Sequence, residues 1–414
     1  MNVLWICNIL FPEVEGLLSE SDVSMGGGWM IASATQLSKA GVALTVSTVT
    51  EKVKSLTHIH GKDFDYYLLP YGSGNKKNNH EYDAYWIEVS KRVKPDVVHI
   101  HGSEFTHGLS YVQSVGPDHV VVSLQGLMGE YSKCFFDGMS KWDVISCTSL
   151  RDIIKKDTLF GNHRDYLRRS EYEKLLLNSV KHVIGRTEWD HDVALKINPK
   201  LIYHFCNETL RPEFYDGHWK HNGNRQIFIS QANYPIKGFH QLVKVIGRMD
   251  NPPKVVVAGY NPTDDSSLVK RLKQKSYGIF INRLIKKYEL QDIVSFCGPL
   301  NPAEIKKAYL ESDAFICPSA IENSSNSIGE AQLLGVPVIA TRRGGTPSII
   351  ENGRTGYLYD FDDLDSLVAL IEKTLNSDCA EMSKESKQKA GLRHDPAINN
   401  SRLIDIYTTI LQSC

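Results

Sequence analysis

Two glutamates, eight residues apart, are the residues best placed for chemistry in this sequence. Glu322 lies in a polar loop, residues 318–327, and Glu330 lies in the predicted helix 328–334. In an open α/β sheet, ligands bind beyond the carboxyl ends of the strands, and the free N–H groups of a helix start bind phosphate. One glutamate before such a start and one about a turn inside it suit the hydroxyl groups on either side of a diphosphate. This spacing predicts a nucleotide-sugar site.

The loop between the glutamates supplies further candidate ligands, both backbone N–H groups and short polar side chains. They belong to Asn323, Ser324, Ser325, Asn326 and Ser327. A second interpretation makes Glu322 a solvated loop charge and Glu330 only a partner of its helix dipole. The segments that follow in order, GVPVIAT, GG and ENGRTGYL, favour the ligand site.

Strand and helix patterns alternate along the chain, which predicts parallel sheets with helices on both faces. Short apolar runs predict the buried strands. In the first half they are residues 3–7, 43–49, 66–69, 97–100, 120–124, 182–186 and 201–205; in the second half they are 226–231, 254–258, 293–297, 315–317 and 338–341. Residues 8–25 are expected to form a polar loop, and residues 376–395 show only a loose pattern.

The length and composition point to two ordinary globular domains. A chain of 414 residues is long for one hydrophobic core. We place a first domain at 1–206, a linker at 207–224, a second domain at 225–395 and a final helix, which crosses back to the first domain, at 396–414. The net charge of −1 gives no global attraction to nucleic acid. Eight scattered cysteines without paired spacing favour a reduced compartment.

The chain shows no sequence signal for export or for crossing a membrane. Its first residues, MNVLWICNILF, lack a basic leader and a small-residue cleavage site, so they are expected to form the first strand. No apolar run approaches the ~18 residues that a spanning helix needs. We expect a cytoplasmic protein, and any membrane contact that it makes is expected to be peripheral, at the inner face.

Residues 151–186 form the candidate stretch for such a contact. They contain nine Lys or Arg and five Asp or Glu, with apolar residues between them. A basic amphipathic segment suits an anionic lipid surface or a phosphate-bearing acceptor. The alternative, a solvated helix face, is the interpretation that the sequence favours.

The order of signals around Glu322 and Glu330 resembles the retaining glycosyltransferases of family 4, within the glycosyl transferases group 1. The similarity is nearly continuous from residue 227 to about residue 375 and looser before that. It implies a GT-B fold, in which two Rossmann-like, doubly wound α/β domains face each other across a cleft. It also implies transfer of a sugar from a nucleotide diphosphate to a hydroxyl group, with retained configuration and without a cofactor.

The resemblance also assigns roles to residues at matching positions. Glu322 would hold the donor-sugar hydroxyls, Glu330 the ribose hydroxyls, and Lys237 the diphosphate as it departs. The loop Gly298, Pro299 and Leu300 would lie against the nucleobase. In the first domain, Gly27 and Gly28 open a helix in a loop that faces the diphosphate and the acceptor, although a plain tight turn explains these glycines equally well.

Two positions depart from the family pattern. Gln125 stands where the family usually carries a histidine near the donor sugar, and glutamine cannot act as a general base. Gln231 stands six residues before Lys237, where an arginine is usual, so the leaving group has one positive charge fewer. A separate histidine, His101, ends the predicted strand 97–100 and is a candidate site residue, whereas His99 is expected to be a hydrogen-bonded core residue.

The sequence leaves metal chemistry and two functions other than transfer to be considered. Three Asp-x-Asp segments, starting at Asp63, Asp190 and Asp360, resemble cation-binding motifs, but the last is expected to cap a helix and the others follow no phosphate loop. We therefore expect no metal. The alternatives are a sugar-nucleotide epimerase on the same fold and a catalytically weakened nucleotide-sugar-binding protein. The expected partners are the donor and a glycan or lipid-linked acceptor, in surface polysaccharide or glycoconjugate synthesis.

Overall fold

The computed structural model describes residues 1–18, 28–71 and 80–413. Its contacts divide the chain into two compact units. Unit 1 comprises Met1–Gly129, Arg168–Arg211 and His394–Cys414, and unit 2 comprises Glu130–Leu167 and Pro212–Arg393. The division places residues 130–167, which lie inside the predicted first domain, with unit 2. The boundaries given above from the sequence stay predictions.

Each unit is built on one mostly parallel sheet. In unit 1 the strands are β1 Asn2–Cys7, β2 Ala43–Thr50, β3 Thr57–His60, β4 Asp65–Pro70, β5 Val97–His101, β6 Val120–Ser123, β7 His182–Gly185 and β8 Ile202–Phe205. In unit 2 they are β9 Gln226–Ile229, β10 Lys254–Val257, β11 Val294–Phe296, β12 Ala314–Cys317, β13 Val338–Thr341 and β14 Tyr357–Tyr359. The strands predicted from apolar runs are present, with ends shifted by a few residues.

The helices lie between these strands in the chain. The first nine are α1 Pro12–Leu18, α2 Gly28–Lys39, α3 Asp83–Val93, α4 Thr106–Ser114, α5 Met128–Lys133, α6 Lys141–Ser146, α7 Leu150–Ile154, α8 Leu159–Ser179 and α9 Glu188–Ile197. The others are α10 Phe239–Ile246, α11 Leu268–Lys273, α12 Ser276–Lys287, α13 Pro302–Leu310, α14 Asn326–Leu334, α15 Leu364–Asn376, α16 Ala380–Arg393 and α17 Pro396–Gln412. In the described part of the chain, no helix combines the length and the apolar character needed to cross a membrane.

Both sheets have the strand order of a doubly wound fold. The order is β3-β4-β2-β1-β5-β6-β7-β8 in unit 1 and β11-β10-β9-β12-β13-β14 in unit 2. Strand order therefore reverses between β1 and β5 in unit 1 and between β9 and β12 in unit 2. Ligands of open α/β sheets bind at such switch points, beyond the carboxyl ends of the strands. The predicted α/β class with two Rossmann-like domains is confirmed.

The central strands are stabilised by burial on both faces of the sheet. In β1, the residues from Val3 to Cys7 are each 0% exposed, and the strand pairs in parallel with β2 and β5. The core of unit 1 packs on both faces of its sheet, and α17 closes one of them through Leu403, Ile406, Tyr407 and Ile410. The core of unit 2 takes in Val144, Cys147 and Leu159 from residues 130–167.

Several local expectations were wrong. Residues 8–25 are not all loop, since Pro12–Leu18 is helical. Residues 376–395, for which no element was predicted, contain the helix α16. The Asp360 segment does not cap α15; the side chain of Asp363 does, by accepting from the N–H of Ser366 at 2.9 Å. Strand β3, antiparallel to β4 at the edge of the sheet, was not predicted.

Candidate functional site

In unit 2, the loops after the two strands that flank the switch point carry Lys237 and Glu322. Lys237 follows β9 and Glu322 follows β12, and these strands are neighbours in the sheet. The carboxyl ends of adjacent parallel strands meet at one edge, so the two loops lie side by side. Sequence reasoning predicted both residues, and the structure brings them together.

A glycine permits the close approach of these loops. Lys237 ends a short 3-10 helix, Pro235–Lys237, and Gly238 follows it with φ +66°. A Cβ atom on Gly238 would lie 1.7 Å from the carbonyl oxygen of Pro318. The N–H of Ala320 then donates to the carbonyl of Ile236 at 2.8 Å. The loop after β9 is thereby fixed against the loop after β12.

The side chains of Lys237 and Glu322 form an ion pair. Nζ of Lys237 donates to Oε1 of Glu322 at 2.6 Å, and Oγ of Ser319 donates to the same oxygen at 2.7 Å. Burial lowers the pKa of Lys237, but the carboxylate of Glu322 outweighs burial and raises that pKa above its ordinary value. The lysine therefore carries its charge at neutral pH.

The backbone of Glu322 is held by the Gly344-Gly345 loop after β13. The N–H of Gly345 donates to the carbonyl of Glu322 at 2.8 Å. Gly344 has φ +63°, and a Cβ atom there would lie 2.1 Å from the same carbonyl oxygen. The two glycines that sequence analysis singled out thus serve to position Glu322.

The loop from Asn323 to Ser327 leads into α14. The N–H of Asn323 donates to the hydroxyl of Tyr131 at 3.0 Å, and the hydroxyl of Tyr309 donates to the carbonyl of Ser327 at 2.9 Å. Ser325 is the N-cap of α14, but its side chain accepts no capping hydrogen bond. Glu330 lies one turn inside the helix and is 5% exposed. Ser324 and Asn326 are half-buried in the same loop.

The remaining predicted donor residues of unit 2 lie beyond β9 and β11. Gln231 follows β9 and is half-buried. Gly298 has φ +78° and forms a β-bridge with Gly259, whose N–H donates to the Gly298 carbonyl at 2.8 Å. This bridge turns the chain at Gly298, and exposed Pro299 and half-buried Leu300 follow.

In unit 1, two histidines at the end of β5 have different environments. His99 is paired at both ring nitrogens, with the hydroxyl of Tyr407 and with Oγ of Ser123, each at 2.6 Å. His101 is 5% exposed, stacks on His99 with ring centroids 3.8 Å apart, and has no hydrogen-bond partner at either nitrogen among the described residues. Burial, His99 and Arg186 hold the pKa of His101 well below its ordinary value, so the ring is neutral.

Gln125 belongs to a buried polar cluster that sequence analysis did not foresee. Its Nε2 donates to Oε1 of Glu208 at 3.0 Å, and Glu208 also forms an ion pair with Arg186. Arg186 donates in turn to the carbonyl of Leu124. Oε2 of Glu208 is buried without a hydrogen-bond partner within the described ranges. Arg186 follows β7 directly, at the same edge as His101, and this position was the signal available in the sequence.

The glycine cluster is described only in part. Gly27 lies outside the described residues. Gly28 is the first residue of α2, where a Cβ atom would lie 2.7 Å from the side chain of Arg211. The small size of Gly28 thus makes room for Arg211 in unit 1.

One group of described residues has the donor atoms and spacing of a metal site. The ring nitrogens of His58 and His60 and the carboxylate of Asp65 lie within 4.8 Å of one another on the β3–β4 pair. Asp65 accepts from His58 at 3.3 Å and from His60 at 3.0 Å, so hydrogen bonds alone account for the group. Asp65 belongs to one of the three Asp-x-Asp segments, whereas Asp190 of another segment forms a capping box with Thr187, the N-cap of α9.

Comparison with known proteins finds a match to one broad family model within unit 2. Residues 213–391 match the family model of glycosyl transferases group 1. Among curated proteins, the GDP-mannose-dependent alpha-mannosyltransferase of Corynebacterium glutamicum is 28% identical over 201 residues, 43% of this chain and 46% of that protein. The matched stretch spans less than half the length of every curated relative considered.

Solved structures resemble the whole chain in fold. Sucrose-phosphate synthase from Thermosynechococcus elongatus aligns over 100% of both chains with a TM-score of 0.72 at 15% identity. Anabaena HepE in complex with UDP and glucose aligns over 99% of this chain and 100% of its own, with a TM-score of 0.64 at 12% identity. At such identities the likeness establishes the GT-B fold alone.

Proposed function

We propose that this chain, in which residues 213–391 belong to the glycosyl transferases group 1, moves a sugar from a nucleotide diphosphate to a hydroxyl group. The observation that carries the proposal is the ion pair of Lys237 and Glu322 at the switch point of unit 2. A cation for the diphosphate and a carboxylate for sugar hydroxyls lie within reach of one ligand there. One relative is named for GDP-mannose and one fold neighbour binds UDP, which supports a nucleotide-sugar donor.

Lys237 is assigned to the diphosphate. An ammonium group has three N–H donors, and Glu322 uses one of them. The others are available to phosphate oxygens, whose negative charge grows as the bond to the sugar breaks. The raised pKa keeps this charge in place at neutral pH.

Glu322 is assigned to the donor-sugar hydroxyls. Both of its side-chain hydrogen bonds end on Oε1, from Lys237 and Ser319. Within the described residues Oε2 has no hydrogen-bond partner, so this oxygen is available to accept from a hydroxyl group. The side chain of Glu322 is 11% exposed, enough to meet a ligand while staying in a fixed position.

The start of α14 is assigned to the diphosphate and Glu330 to the ribose. The N-cap side chain leaves the first N–H groups of this nine-residue helix without a capping acceptor, and such groups bind phosphate. Asn326 and Ser327 supply such groups, and residues 323–327 supply the neighbouring side chains. Gln231 and the turn at Gly298, Pro299 and Leu300 are assigned to the remaining donor contacts, with the nucleobase against the turn.

In unit 1, His101, Gln125 and the glycines at 27 and 28 are assigned to the sugar and acceptor side of the reaction. His101 is neutral, and its unpaired ring nitrogens suit a hydroxyl group. Gln125 is already bonded to Glu208, so it acts as a hydrogen-bonding residue and takes no proton. Glu208 itself, with a buried unpaired Oε2, joins this set.

The proposed reaction retains the configuration of the sugar. The acceptor oxygen forms a bond to the anomeric carbon, the bond from that carbon to the diphosphate oxygen breaks, and the acceptor proton passes to the departing diphosphate. This step needs charge stabilisation and positioning, which Lys237 and the α14 N–H groups supply, and needs neither a cofactor nor a metal. The proposed acceptor is a hydroxyl of a glycan or of a lipid-linked glycan, in the synthesis of surface polysaccharide or a glycoconjugate.

The test is release of nucleoside diphosphate from a panel of UDP-, GDP- and ADP-sugars. We expect slow release from one donor, faster release with a hydroxyl-bearing acceptor, and no change on addition of EDTA. Lys237→Met and Glu322→Gln should each lower the rate by about 10²-fold or more, the scale of removing one charge-stabilising group. The configuration of the product is read by NMR.

The matched control is Lys254→Met, which removes an exposed lysine at the start of β10, at the other end of the sheet from the site. It should keep the rate of the unsubstituted protein. Full activity of Lys237→Met would overturn the proposed site. Donor binding without release by any combination of donor and acceptor would favour the weakened-binder alternative, and conversion of the donor to its epimer would favour the epimerase.

A further inference from the structure

Three short helices of unit 2 carry an unusual concentration of exposed apolar side chains. The members are Trp142 and Ile145 on α6, Leu150, Ile153 and Ile154 on α7, and Leu268, Val269 and Leu272 on α11. Each is between 55% and 79% exposed. Single exposed apolar residues are ordinary on protein surfaces, but a contiguous group marks a contact surface. We call these eight residues the apolar patch.

The buried sides of the three helices are fixed to α12 and its surroundings, so the apolar patch faces outward. Oδ2 of Asp152, on α7, accepts from both the N–H and Oγ of Ser276 at 2.6 Å. Arg283 of α12 donates to Oγ of Ser146, at the end of α6, at 2.9 Å. Helix α7 packs against α11, and Nζ of Lys286 donates to Asp265, just before α11, at 2.7 Å.

The spacing within each helix also places the apolar residues on one face. In α6 the exposed residues are three apart, and Val144 between them is 2% exposed. In α7 they occupy positions 150, 153 and 154, while Asp152 on the other side is 1% exposed. Residues three and four apart share a helix face. Their exposure is therefore a property of the fold and not of frayed helix ends.

Basic residues surround the apolar patch. Segments 141–156 and 268–275 contain eight Lys or Arg and two Asp, in a chain whose net charge is −1. Asp264 pairs with Lys270 and Asp157 with Lys275. Other exposed basic side chains have no ion-pair partner among the described residues: Lys141, Lys155, Lys156, Arg271 and Lys273.

We propose that the apolar patch docks this protein on a membrane surface that contains anionic lipids. Aliphatic side chains and a tryptophan enter the boundary between headgroups and acyl chains, while lysine and arginine attract anionic headgroups. A nucleic acid would require aromatic stacking in place of aliphatic contact, and a second copy would bring two surfaces of the same charge together. Lipid is the occupant that matches both the apolar and the basic residues.

The proposal goes beyond the proposed function and does not depend on it. It also places the membrane contact largely outside residues 151–186, the candidate stretch in the sequence. Of residues 151–186, only Ile153 and Ile154 belong to the apolar patch. Leu176 and Leu177 are 0% exposed in the core of unit 1.

The test is co-sedimentation of the full chain with vesicles of phosphatidylcholine, either alone or mixed with phosphatidylglycerol. We expect binding to the mixed vesicles only, weakened by salt because the attraction to the headgroups is screened. The double variants Leu150→Ser/Ile154→Ser and Arg271→Glu/Lys273→Glu should each lower the bound fraction at least about fivefold. Leu392→Ser, which changes a leucine of unit 2 that is 65% exposed outside the apolar patch, should bind as the unsubstituted chain does.

Three results would overturn the proposal. They are equal binding to both vesicle types, no binding to either, and undiminished binding by both double variants when thermal unfolding shows them folded. Light scattering separates the alternative of self-association: an oligomer that the apolar variants dissociate, without vesicle binding, would assign the patch to a second copy. Nucleoside diphosphate release without vesicles, measured on the same variants, should be unchanged, which separates this test from that of the proposed function.

Discussion

Arg186 in unit 1 lies in the interior with its charge balanced by Glu208. Both side chains are less than 10% exposed, and they form an ion pair. A buried charge that loses its partner cannot regain its hydration, so its free energy in the folded state rises steeply. The same carboxylate accepts from Gln125. This cluster therefore links the stability of unit 1 to the proposed acceptor side of the reaction.

Glu208→Ala should lower the free energy of unfolding by about 3–5 kcal/mol, because it leaves Arg186 buried and unpaired. Glu208→Gln keeps a hydrogen-bond acceptor and should cost less. Chemical denaturation measures both. Glu213→Ala, at an exposed glutamate, is the control and should change stability by less than about 0.5 kcal/mol. A Glu208→Ala protein as stable as this control would contradict the described ion pair.

Sequence reasoning found Lys237 and Glu322 because both lie in segments where strand, loop and helix patterns follow in a recognisable order, separated by glycine and proline. It missed Tyr131, whose hydroxyl accepts from the N–H of Asn323, because 192 residues separate the two in the chain. Glu208 was missed for the same physical reason. Its partners Gln125 and Arg186 come from other strands, and only the folded sheet brings them within bonding distance.

At the scale of elements, the junction of two loops at Gly238 determines where Lys237 lies. Gly238→Ala should destabilise the protein in two ways, through the left-handed backbone, at about 1–2 kcal/mol, and through overlap with the Pro318 carbonyl, at a further ~1–3 kcal/mol. Gly353→Ala is the matched control. Gly353 has φ +79°, and a Cβ atom there meets nothing within 4 Å.

Denaturation of both variants separates the two contributions, and nucleoside diphosphate release measures their effect on the site. Gly238→Ala should also lower the rate of release, since Lys237 and Glu322 move apart, whereas Gly353→Ala should not. Equal destabilisation by the two substitutions would show that the close approach of the loops contributes nothing.

The elements that were missed are those that lack a buried apolar run. Strand β3, with sequence THIH, has two exposed and two half-buried residues, and it pairs only with β4 at the sheet edge. Helix α1 contains a proline and two glutamates in seven residues, and this composition predicts a loop. Buried strands such as β1 were predicted because the sheet covers them on both faces, which demands apolar side chains at every position.

At the scale of the whole molecule, buried histidines set the response to acid. Burial lowers the pKa of six of them below the ordinary value: His99 to about 3, His107 to about 4, His182 to about 4, His240 to about 3, His101 well below, and His204 in the same direction. Below the ordinary histidine pKa, the unfolded chain binds protons that the folded protein does not. Stability therefore falls as pH falls, by about 1.4 kcal/mol per pH unit for each such histidine.

We expect the free energy of unfolding to decline between about pH 6.5 and pH 4.5. Two carboxyls act in the opposite direction, since burial raises the pKa of Glu173 to about 7 and that of Glu104 above its ordinary value, but six histidines outnumber them. His107→Phe, which keeps a ring beside Phe105, should make the free energy of unfolding decline less steeply with falling pH. His60→Gln, at a side chain 79% exposed, should leave it unchanged. A pH-independent stability over this range would refute the prediction.

The assignment of residues 130–167 to unit 2 is a property that no local pattern reveals. Val144, Cys147 and Leu159 are apolar residues that would suit either core. Which core they join depends on contacts with distant segments. One such contact is the hydrogen bond between the ring of His240 and the carbonyl of Asp137, at 2.9 Å. Sequence continuity placed this segment in the first domain, and tertiary packing places it in unit 2.

The last helix, α17, covers strands of unit 1 that are synthesised long before it. The hydroxyl of Tyr407 accepts from the indole of Trp5 at 2.9 Å and pairs with His99, so α17 covers strands made about 300 to 400 residues earlier. Trp5 and Tyr407 are 402 positions apart, so the ribosome translates about 400 residues between them. At ~5–20 residues per second, the apolar face around Trp5 waits about 20–80 s for its cover. The nascent chain thus offers a chaperone a defined interval and a defined surface.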